Sequence, residues 1–487
     1  MKKDVPLEVR EVTMTLRKAG YEAYLVGGCV RDLLLDRTPK DWDVTTNATP
    51  EELQATFPDS FYENEFGTVG VKTGSENTSL SIIEVTPYRT EGEYTDKRRP
   101  DSVTFGHSLE EDLARRDFTI NAIAYDESKG HISDPYKGQI DLQAKVLRTV
   151  GVPRERFEED ALRLLRAIRI MAELGFALDS DTAEGIKEKA SNLALISRER
   201  IRDEFVKILM SKEPMMAINM AHMLGILRYI SPTLEEGVGI EQNQAHSYDV
   251  FGHLTHAVQH AADKEWTLDL RISALFHDIS KPETRRWSDE KKDWTFHGHE
   301  VVGSRVTRKI LEDLHFSREM IEKVSKLVRW HMFFSDPDQI TLSAVRRMIA
   351  NVGQENIWDL LNLRICDRVG TGRPKEQPFR FRKYKAMVEQ ALRDPISVSM
   401  LKTNGERLMD TFHMKPGPDM GNLLNALLEE VLDDPEKNTI EYLDKRTVEL
   451  LKLEPADLKE LGEAGKRKQE EAEQEEIKKI ERKNNVG

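Results

Sequence analysis

Residues 24–44 read YLVGGCVRDLLLDRTPKDWDV, and the spacing of acids and glycines here restricts what the first part of the chain can form. A glycine pair closes an apolar run, and Asp41 lies nine residues after Asp32 and two before Asp43. On a strand, acids at positions i and i+2 point to one face, where they repel each other unless a cation lies between them. Oxygen ligands of this kind suit Mg²⁺, which takes one or two carboxylates together with substrate phosphates. We therefore expect a strand that presents Asp41 and Asp43 to Mg²⁺.

The residues around this acid pair suit a nucleoside triphosphate. Gly27 and Gly28 allow the backbone to approach a phosphate, whose oxygens the N–H groups can bind, and Arg31 adds a fixed positive charge. Nucleotidyl transfer with two metals calls for a third acid, for which Glu84 in the run SIIEVT is the best candidate. For a glycine pair or a DxD motif alone, a turn with solvent-exposed acids is the simpler interpretation. Glu84 is equally well explained as an edge-strand acid that faces water.

The composition describes a protein large enough for several domains. The chain has 487 residues, of which 39% are hydrophobic, and a domain typically takes ~100–200 residues. No apolar stretch approaches the ~20 residues of a membrane helix, so we expect no membrane partner. The two cysteines, Cys29 and Cys366, lie far apart and outside any CxxC pair, which makes a reducing cytoplasm the simplest setting. The net charge of −14 is less informative than local basic clusters such as Arg115-Arg116.

Seven motifs occur in a fixed order between about residues 10 and 232: GGCVRD, DWDV, YTDKRRPDSVTF, RRDFTINAIAYD, DP at 134–135, FEEDALRLLRAIR and ISRERIRDE. In this order the chain resembles class II CCA-adding enzymes, the bacterial tRNA nucleotidyltransferases that are close kin of bacterial poly(A) polymerases. The resemblance implies an α+β fold with a small nucleotidyltransferase head, built on a mixed five-stranded sheet with helices and followed by all-α neck, body and tail domains. It also implies the addition of CTP and ATP to the 3′ end of tRNA without a nucleic-acid template.

The expected domain order combines this resemblance with the change from mixed to helical patterns along the chain. Residues 21–27, 68–73 and 79–86 read as strands, whereas DALRLLRAIRIMAELGF has helical periodicity. The expected segments are 1–150, the head; 151–232, a neck for base recognition and RNA binding; 240–370, an HD domain; 371–454, a helical tail that contacts tRNA; and 455–487, a charged tail that is helical or disordered.

The motif EEDALRLLRAIR suggests how a protein selects C and A. Asp160 and Arg163 lie three residues apart, as surface neighbours do on a helix. An aspartate accepts from the exocyclic amine of C or A, whereas U and G present an oxygen there. The resemblance assigns base reading to Asp160 and Arg163, with Arg166 and Arg169 nearby, and triphosphate or sugar binding to Arg116. By spacing alone, an exposed charged helix face is the simpler explanation, and Arg169 suits a phosphate or a neighbouring acid equally well.

A second set of residues follows the order H…HD…H…H…D from His253 to Asp367, and in this order it resembles the metal ligands of HD-domain phosphohydrolases. Imidazole and carboxylate ligands suit transition metals better than Mg²⁺ alone, and a bound cation lowers the pKa of its water. The alternative is that these histidines cap helices in an inactive helical body. Similar domains in some CCA-adding enzymes hydrolyse phosphoesters, including cyclic phosphates at damaged tRNA ends. The expected ligands are His253, His277, Asp278, His299, His331 and Asp367.

The sequence leaves three functional alternatives to complete CCA addition. The first is an A-adding enzyme or poly(A) polymerase of the same family. Enzymes that add only CC tend to lack the loop YTDKRRPDSVTF, so its presence favours CCA or A addition without separating these two. The second is an HD phosphohydrolase whose head only binds RNA, and the third is a non-catalytic RNA-binding module. The expected partners are tRNA, CTP and ATP, with Mg²⁺ in the head, and the oligomeric state stays open.

Overall fold

The computed structural model of the chain describes residues 4–62, 67–91, 103–105, 108–243, 246–333, 339–373, 375–393 and 397–486. The chain divides into two compact units, Met1–His331 with Asn362–Pro374, and Met332–Leu361 with Lys375–Gly487. Residues 332–361, assigned from sequence to the HD segment, thus pack with the C-terminal unit. Within the described residues, every helix is too short or too polar to span a lipid bilayer.

The head contains the sheet that the sequence predicted. Its strands are β1 (Tyr24–Val26), β2 (Asp43–Thr46), β3 (Ser60–Tyr62), β4 (Val69–Lys72), β5 (Ile82–Pro87), β8 (Ala124–Asp126) and β9 (His131–Ser133), and a separate hairpin is formed by β6 (Arg89–Glu91) and β7 (Val103–Phe105). The strand order is β3-β4-β5-β2-β1-β8-β9, and β2 and β5 run parallel while the other described neighbours are antiparallel.

This mixed sheet confirms the α+β class, but it has seven described strands where five were expected. The two outermost strands, β3 and β9, have three residues each and no fully buried side chain. Strands this short carry no alternating pattern that the sequence could reveal. The central strands bury Leu25, Val44 and Val85 completely, which fixes the face on which the intervening residues lie.

Helices flank this sheet and continue into the neck. The head helices are α1 (Leu7–Lys18), α2 (Gly28–Leu34), α3 (Pro50–Thr56), α4 (Leu109–Ala114) and α5 (Gly138–Ala144). The neck comprises α6 (Pro153–Glu159), α7 (Leu162–Leu174), α8 (Ser180–Lys189), α9 (Arg198–Met210), α10 (Pro214–Met223) and α11 (Pro232–Glu235), with two short paired strands, β10 (Val146–Leu147) and β11 (Ala177–Leu178). Helix α7 confirms the helical pattern, and it ends at Gly175, whose φ of 69° favours glycine.

The histidine-rich region is helical, as predicted, and contains one small hairpin. Its elements are α12 (Val250–Asp263), α13 (Leu268–Phe276), α14 (Lys281–Thr284), β12 (Arg286–Ser288), β13 (Asp293–Thr295), α15 (His299–Asp313), α16 (Arg318–Trp330), α17 (Leu342–Val352) and α18 (Ile357–Gly370). In the larger unit a continuous hydrophobic core extends from Val5 to Val328, so the head, neck and first HD helices share one interior.

The C-terminal unit is completed by α19 (Phe379–Leu392), α20 (Gly405–Phe412), α21 (Pro418–Asp433), α22 (Ile440–Leu450) and α23 (Pro455–Lys483). The charged tail is therefore helical. Helix α23 packs against α21 and buries Leu458, Gly462 and Gly465. A Cβ added at Gly465 would lie 2.2 Å from the carbonyl oxygen of Asn425. Because the contact is made through glycines, counting hydrophobic residues in 455–487 does not reveal it.

Candidate active site and metal centre

The acid pair lies where β2 begins. Trp42 is buried while Asp41 is exposed and Asp43 half-buried, so the alternation of the chain points the two acids away from the core. Burial, opposed by the Arg116 guanidinium and reinforced by the Asp41 carboxylate, raises the pKa of Asp43. A cation at this face would relieve that repulsion and favour the ionised carboxylate.

Glu84 lies beside Asp43 on the neighbouring strand. The two are register partners in the parallel β2–β5 pair, and the Glu84 N–H donates to the carbonyl of Trp42 at 3.2 Å. Ile83 is fully buried while Glu84 is exposed, which places Glu84 on the face of Asp43. The sheet thus brings Asp43 and Glu84 to one face, and Asp41 lies just before β2, close enough for its carboxylate to raise the pKa of Asp43.

Gly27 lies directly against this face. Its φ is 81°, and a Cβ there would lie 3.2 Å from Asp43 Oδ2 and 3.2 Å from Arg116 Nη1. A larger residue at this position would therefore crowd the Asp43 carboxylate and the Arg116 guanidinium. Gly28 opens α2. Arg31 pairs with Asp32 at 2.8 Å and donates to Asn121 Oδ1 at 3.2 Å. These two contacts hold the Arg31 guanidinium in a fixed position next to Gly28.

Arg116 is anchored by an acid that the sequence reasoning missed. Asp112 is completely buried and pairs with Arg116 at 3.0 Å and with Arg115 at 2.6 Å. Although burial favours the protonated form, the Arg116 and Arg115 guanidiniums hold the pKa of Asp112 below its ordinary value. The i, i+4 spacing of Asp112 and Arg116 is a signal that could have identified this anchor.

The base-reading motif differs from the expected geometry. Asp160 does not lie on a helix with Arg163: it has extended backbone angles between α6 and α7 (φ −136°, ψ 106°). Its carboxylate accepts from the Leu162 N–H at 3.0 Å and pairs with Arg200 at 2.9 Å. The prediction that Asp160 and Arg163 lie on one helix was wrong, because α6 ends at Glu159 and α7 begins only at Leu162. No spacing in the sequence indicated Arg200 as its partner.

Arg163 is largely buried and makes its contacts elsewhere. It pairs with Glu159 and donates to the carbonyl of Arg156 at 3.1 Å and to that of Arg115 at 3.3 Å. The side chain therefore ties α7 to the chain just after α4. It is not on an exposed charged face, which removes that simpler explanation for this residue.

The other two arginines of the motif form internal ion pairs. Arg166 binds Asp117 Oδ2 through Nε at 2.9 Å and Nη2 at 2.6 Å, and despite burial this contact holds the pKa of Asp117 below its ordinary value. Arg169 pairs with the buried Glu204 at 2.7 Å and with Glu173 at 3.1 Å. For Arg169, the structure therefore shows the neighbouring acid that the spacing allowed.

All six expected HD residues meet in the larger unit. The described residues form two groups with metal-ligand spacing: His253, His277, Asp278 and Asp367 in one, and Asp278, His299 and His331 in the other. Asp278 belongs to both groups, with Oδ2 3.0 Å from His253 Nε2 and Oδ1 3.1 Å from His299 Nε2. The head acids form no such group among the described residues.

The imidazoles are oriented by the backbone. The Nδ1 atoms of His277, His299 and His331 lie 2.9, 2.5 and 2.7 Å from main-chain carbonyl oxygens three residues earlier, which directs each Nε2 inwards. Such carbonyl contacts fix the tautomer of metal-binding histidines. His253 differs, because its Nδ1 is buried without a hydrogen-bond partner among the described residues. The donor set fits a divalent transition metal.

A lysine that the sequence reasoning missed lies beside the shared carboxylate. Lys281 Nζ is 2.6 Å from Asp278 Oδ2. Although burial opposes ionisation, Lys281 and His277 hold the pKa of Asp278 well below its ordinary value. Burial is likewise outweighed at His277, whose pKa is raised to about 10 by Asp278. The i, i+3 spacing in HDISK could have identified this lysine.

Three family models match successive parts of the chain. Residues 23–148 match the "Poly A polymerase head domain", residues 175–237 the "Probable RNA and SrmB- binding site of polymerase A", and residues 245–354 the "HD domain". The CCA-adding enzyme of Lactobacillus helveticus is 33% identical over 446 residues, which cover 91% of this chain and 96% of that protein. The chain belongs to the CCA-adding enzyme family.

Other CCA-adding enzymes agree with this assignment. That of Geobacillus thermodenitrificans is 33% identical over 88% of this chain and 93% of its own length. The crystal structure of the Bacillus stearothermophilus CCA-adding enzyme in complex with CTP superposes with a TM-score of 0.56 at 26% identity, covering 92% of this chain and 100% of that chain. The Thermotoga maritima CCA-adding enzyme complexed with tRNA has a TM-score of 0.50 at 20% identity, which supports the fold alone.

One motif that argued for this family lies mostly outside the described residues. In YTDKRRPDSVTF, residues 94–102 are not described, and Val103–Phe105 form β7. The prediction that this loop distinguishes CCA or A addition from CC addition therefore stays a prediction.

Proposed function

We propose that this chain adds C, C and A to the 3′ end of tRNA from CTP and ATP, with release of pyrophosphate. The observation that carries the proposal is the alignment of Asp43 and Glu84 on neighbouring parallel strands, with Arg116 and Gly27 directly against Asp43. Family membership supports the same reaction, and the CTP complex of a relative supports the same nucleotide class. A cytoplasmic setting stays a prediction.

Different head residues would act on the two reacting groups, the 3′-hydroxyl of tRNA and the nucleoside triphosphate. Asp41 and Asp43 would hold Mg²⁺, and Glu84 would orient the attacking 3′-hydroxyl. When bound, the metal supplies charge stabilisation for the transferring phosphoryl group. Gly27 and Gly28 leave room for the triphosphate, and Arg31 and Arg116 would neutralise it. Because Asp32 and Asp112 hold these two arginines in place, they need little reorganisation on binding.

Base selection would depend on Asp160 and Arg163. The two bonds that Asp160 already accepts fix its carboxylate, yet each oxygen has a second lone pair for the amine of C or A. Arg163 has five N–H donors in a planar group, so its contacts with Glu159 and the main chain leave donors for a ring acceptor. Arg166 and Arg169 would act indirectly, by tying α7 to Asp117 and Glu204.

The HD centre supports a second proposed activity, hydrolysis of phosphoesters at tRNA ends. The observation in its favour is the pair of buried ligand groups that share Asp278. When bound, a transition metal supplies hydroxide near neutral pH. The six expected ligands would hold the metal. The carbonyl contacts at Nδ1 of His277, His299 and His331 would keep the Nε2 atom of each ring directed at it.

The test of the main proposal is incubation with tRNA that lacks CCA, with each nucleotide offered in turn. Addition of two C residues from CTP alone, followed by one A when ATP is included, is the expected result. Incorporation of ATP alone would instead identify an A-adding enzyme or a poly(A) polymerase. No incorporation, together with metal-dependent phosphoester hydrolysis, would identify an HD phosphohydrolase whose head only binds RNA.

A further inference from the structure

Helix α9 carries two pairs of charged residues on opposite faces. Arg200 and Glu204 lie four residues apart, as do Arg198 and Arg202, so the members of each pair are neighbours on the helix surface. With 3.6 residues per turn, the first pair lies about 200° around the helix axis from the second. The two faces of α9 therefore contact different parts of the larger unit.

The face with Arg200 and Glu204 holds the segment proposed to read the base. Arg200 pairs with Asp160 at 2.9 Å, and the buried Glu204 pairs with Arg169 of α7 at 2.7 Å. Asp160 lies outside both α6 and α7 and has an extended backbone. Its carboxylate accepts from the Leu162 N–H and from Arg200. The position of this carboxylate therefore depends on the position of α9.

The opposite face of α9 holds the turn between the HD helices α15 and α16. Arg198 Nε donates to the carbonyl of Asp313 at 3.4 Å, and Arg202 Nη1 donates to the carbonyl of His315. Leu314, between these two carbonyls, is completely buried, which fixes the turn against the core. Hydrogen bonds from a charged donor are stronger than those between neutral groups. The α15–α16 turn therefore restrains the first half of α9.

The other end of α9 is held by a third HD helix. Arg271 of α13 is 4% exposed and donates through Nη1 to the carbonyls of Leu209 and Ser211, at 2.8 and 3.0 Å. The last carbonyls of a helix lack partners within that helix, and a cation at this end also suits the helix dipole. Helices that carry or precede the expected metal ligands thus hold α9 at both ends.

We propose that the HD helices position the base-reading carboxylate, and that Arg202 is a positioning residue for nucleotide selection by the head. The α15–α16 turn and Arg271 fix α9, and Arg200 of α9 holds Asp160. Because protein interiors are close-packed, a shift of α9 moves the groups attached to it. This role needs the HD helices but no metal bound to them. It rests on the proposed reading of the base by Asp160.

The experiment measures kcat/KM for CTP and for UTP on tRNA that ends before the first C, with Mg²⁺ and the full-length protein. In Arg202→Ala we expect the ratio of CTP to UTP to fall about 2- to 27-fold, the range for a residue that acts through a network of contacts. Arg202 is chosen because Arg198 also donates to the carbonyl of Tyr229 in the neck. Arg202→Lys, which can still reach the carbonyl of His315, should restore most of the ratio.

A matched control and a second variant accompany this measurement. Asp203→Asn removes the charge that pairs with Arg202 at 2.8 Å but leaves the contact with His315, so it should keep the wild-type ratio. If Arg202→Ala does not fold, Arg202→Gln supplies the same comparison, because its shorter side chain also withdraws the donor from the α15–α16 turn. Thermal unfolding identifies the folded variants.

A double-mutant cycle separates positioning from general destabilisation. If Arg202 acts through Asp160, adding Arg202→Ala to Asp160→Asn should change the ratio of CTP to UTP by less than about 2-fold, because the reading carboxylate is already absent. The inference is overturned by an unchanged ratio in Arg202→Ala alone. It is also overturned if Arg202→Ala causes the same further loss in the Asp160→Asn protein.

The same variants distinguish this inference from the proposals beneath it. A ratio that falls in Asp160→Asn but not in Arg202→Ala refutes only the role of the HD helices, whereas an unchanged ratio in Asp160→Asn refutes base reading and the inference together. If the wild-type protein incorporates no nucleotide, CCA addition fails, and calorimetry with CTP and UTP in Mg²⁺ supplies the ratio of Kd for the same cycle. A non-additive loss there upholds positioning, and an additive loss, an unchanged ratio or no binding overturns it.

Discussion

Replacing Asp160 by asparagine exchanges one carboxylate oxygen for an amide NH₂ at the position proposed to read the base. The exchange preserves shape, and the remaining oxygen can still accept from the Leu162 N–H at the start of α7. It removes the charge that pairs with Arg200 at 2.9 Å. A carboxylate only accepts, whereas an amide both donates and accepts. The substituted amide could therefore meet the amine of C with its oxygen or the carbonyl of U with its NH₂.

The substitutions at Asp160 are expected to change both base discrimination and the stability of the fold. Base discrimination by one well-made pair is worth about 1–3 kcal/mol, or about 5- to 140-fold at 1.4 kcal/mol per factor of ten. The side chains of Asp160 and Arg200 are 17% and 25% exposed, so losing their ion pair costs more than the ~0.2–1 kcal/mol of a surface pair. Asp160→Ala also removes the acceptor for Leu162, which costs about 0.5–2 kcal/mol by analogy with a helix cap.

The assay is kcat/KM for CTP, ATP and UTP on tRNA that ends before the first C or before the A. We expect Asp160→Asn to reduce the preference for CTP over UTP by the factor above while it keeps more CTP use than Asp160→Ala. Asp203→Asn is the matched control, because Asp203 lies on α9, is 58% exposed and pairs only with its neighbour Arg202 among the contacts described. Thermal unfolding of each variant separates a loss of stability from a loss of selectivity.

The reasoning is refuted if both Asp160 variants reduce the use of all three nucleotides equally. An unchanged ratio of CTP to UTP would mean that Asp160 only positions α7 and Arg200. In that case the protein surface that distinguishes C from U would lie elsewhere, and the bonds to Leu162 and Arg200 would be the whole role of this carboxylate.

Three further changes test other parts of the structure. Asp43→Ala should abolish nucleotide addition in a folded protein, since the metal site supplies several kcal/mol of charge stabilisation; near-normal turnover would exclude this site. His277→Ala combined with Asp278→Ala should end phosphoester hydrolysis but spare CCA addition, and a folded double variant without CCA addition would contradict two separate sites. Gly465→Ala should lower the unfolding free energy of the C-terminal unit by about 1–3 kcal/mol through overpacking. The control Gly421→Ala, at a helix position with open space around it, should raise that free energy by up to about 1 kcal/mol. Equal effects of the two substitutions in denaturant titrations would refute the α21–α23 contact.

Much of the head could be predicted because its local sequence patterns indicate the same strands that form in the folded sheet. The run before Gly27 and the run that contains Glu84 form strands, as predicted. Trp42 between Asp41 and Asp43 already implied one apolar and one acidic face. The edge strands β3 and β9 could not be predicted, because three residues do not establish a period and their pairing depends on the neighbouring strands.

The neck and the tail helix show where local patterns mislead. Three-residue spacing predicted that Asp160 and Arg163 share a helix, yet the chain is extended at Asp160. Its carboxylate there accepts from the Leu162 N–H and pairs with Arg200, forty residues later. In 455–487, hydrophobic content predicted nothing to pack. The tail nevertheless packs through Gly462 and Gly465, whose missing side chains let two helix backbones approach.

By itself, the sequence determined which chemical groups are available: the acids of the DxD motif, the glycine pair, the arginines of the neck and six histidine and aspartate side chains in the order of the HD domain. Only the tertiary structure decided their partners. Long-range packing makes Asp278 common to two ligand groups, places Asp112 beneath Arg116, and pairs Asp160 with Arg200. The physical reason is that a side chain's identity is local, whereas its charge partners, its burial and therefore its reactivity depend on residues brought together from distant parts of the chain.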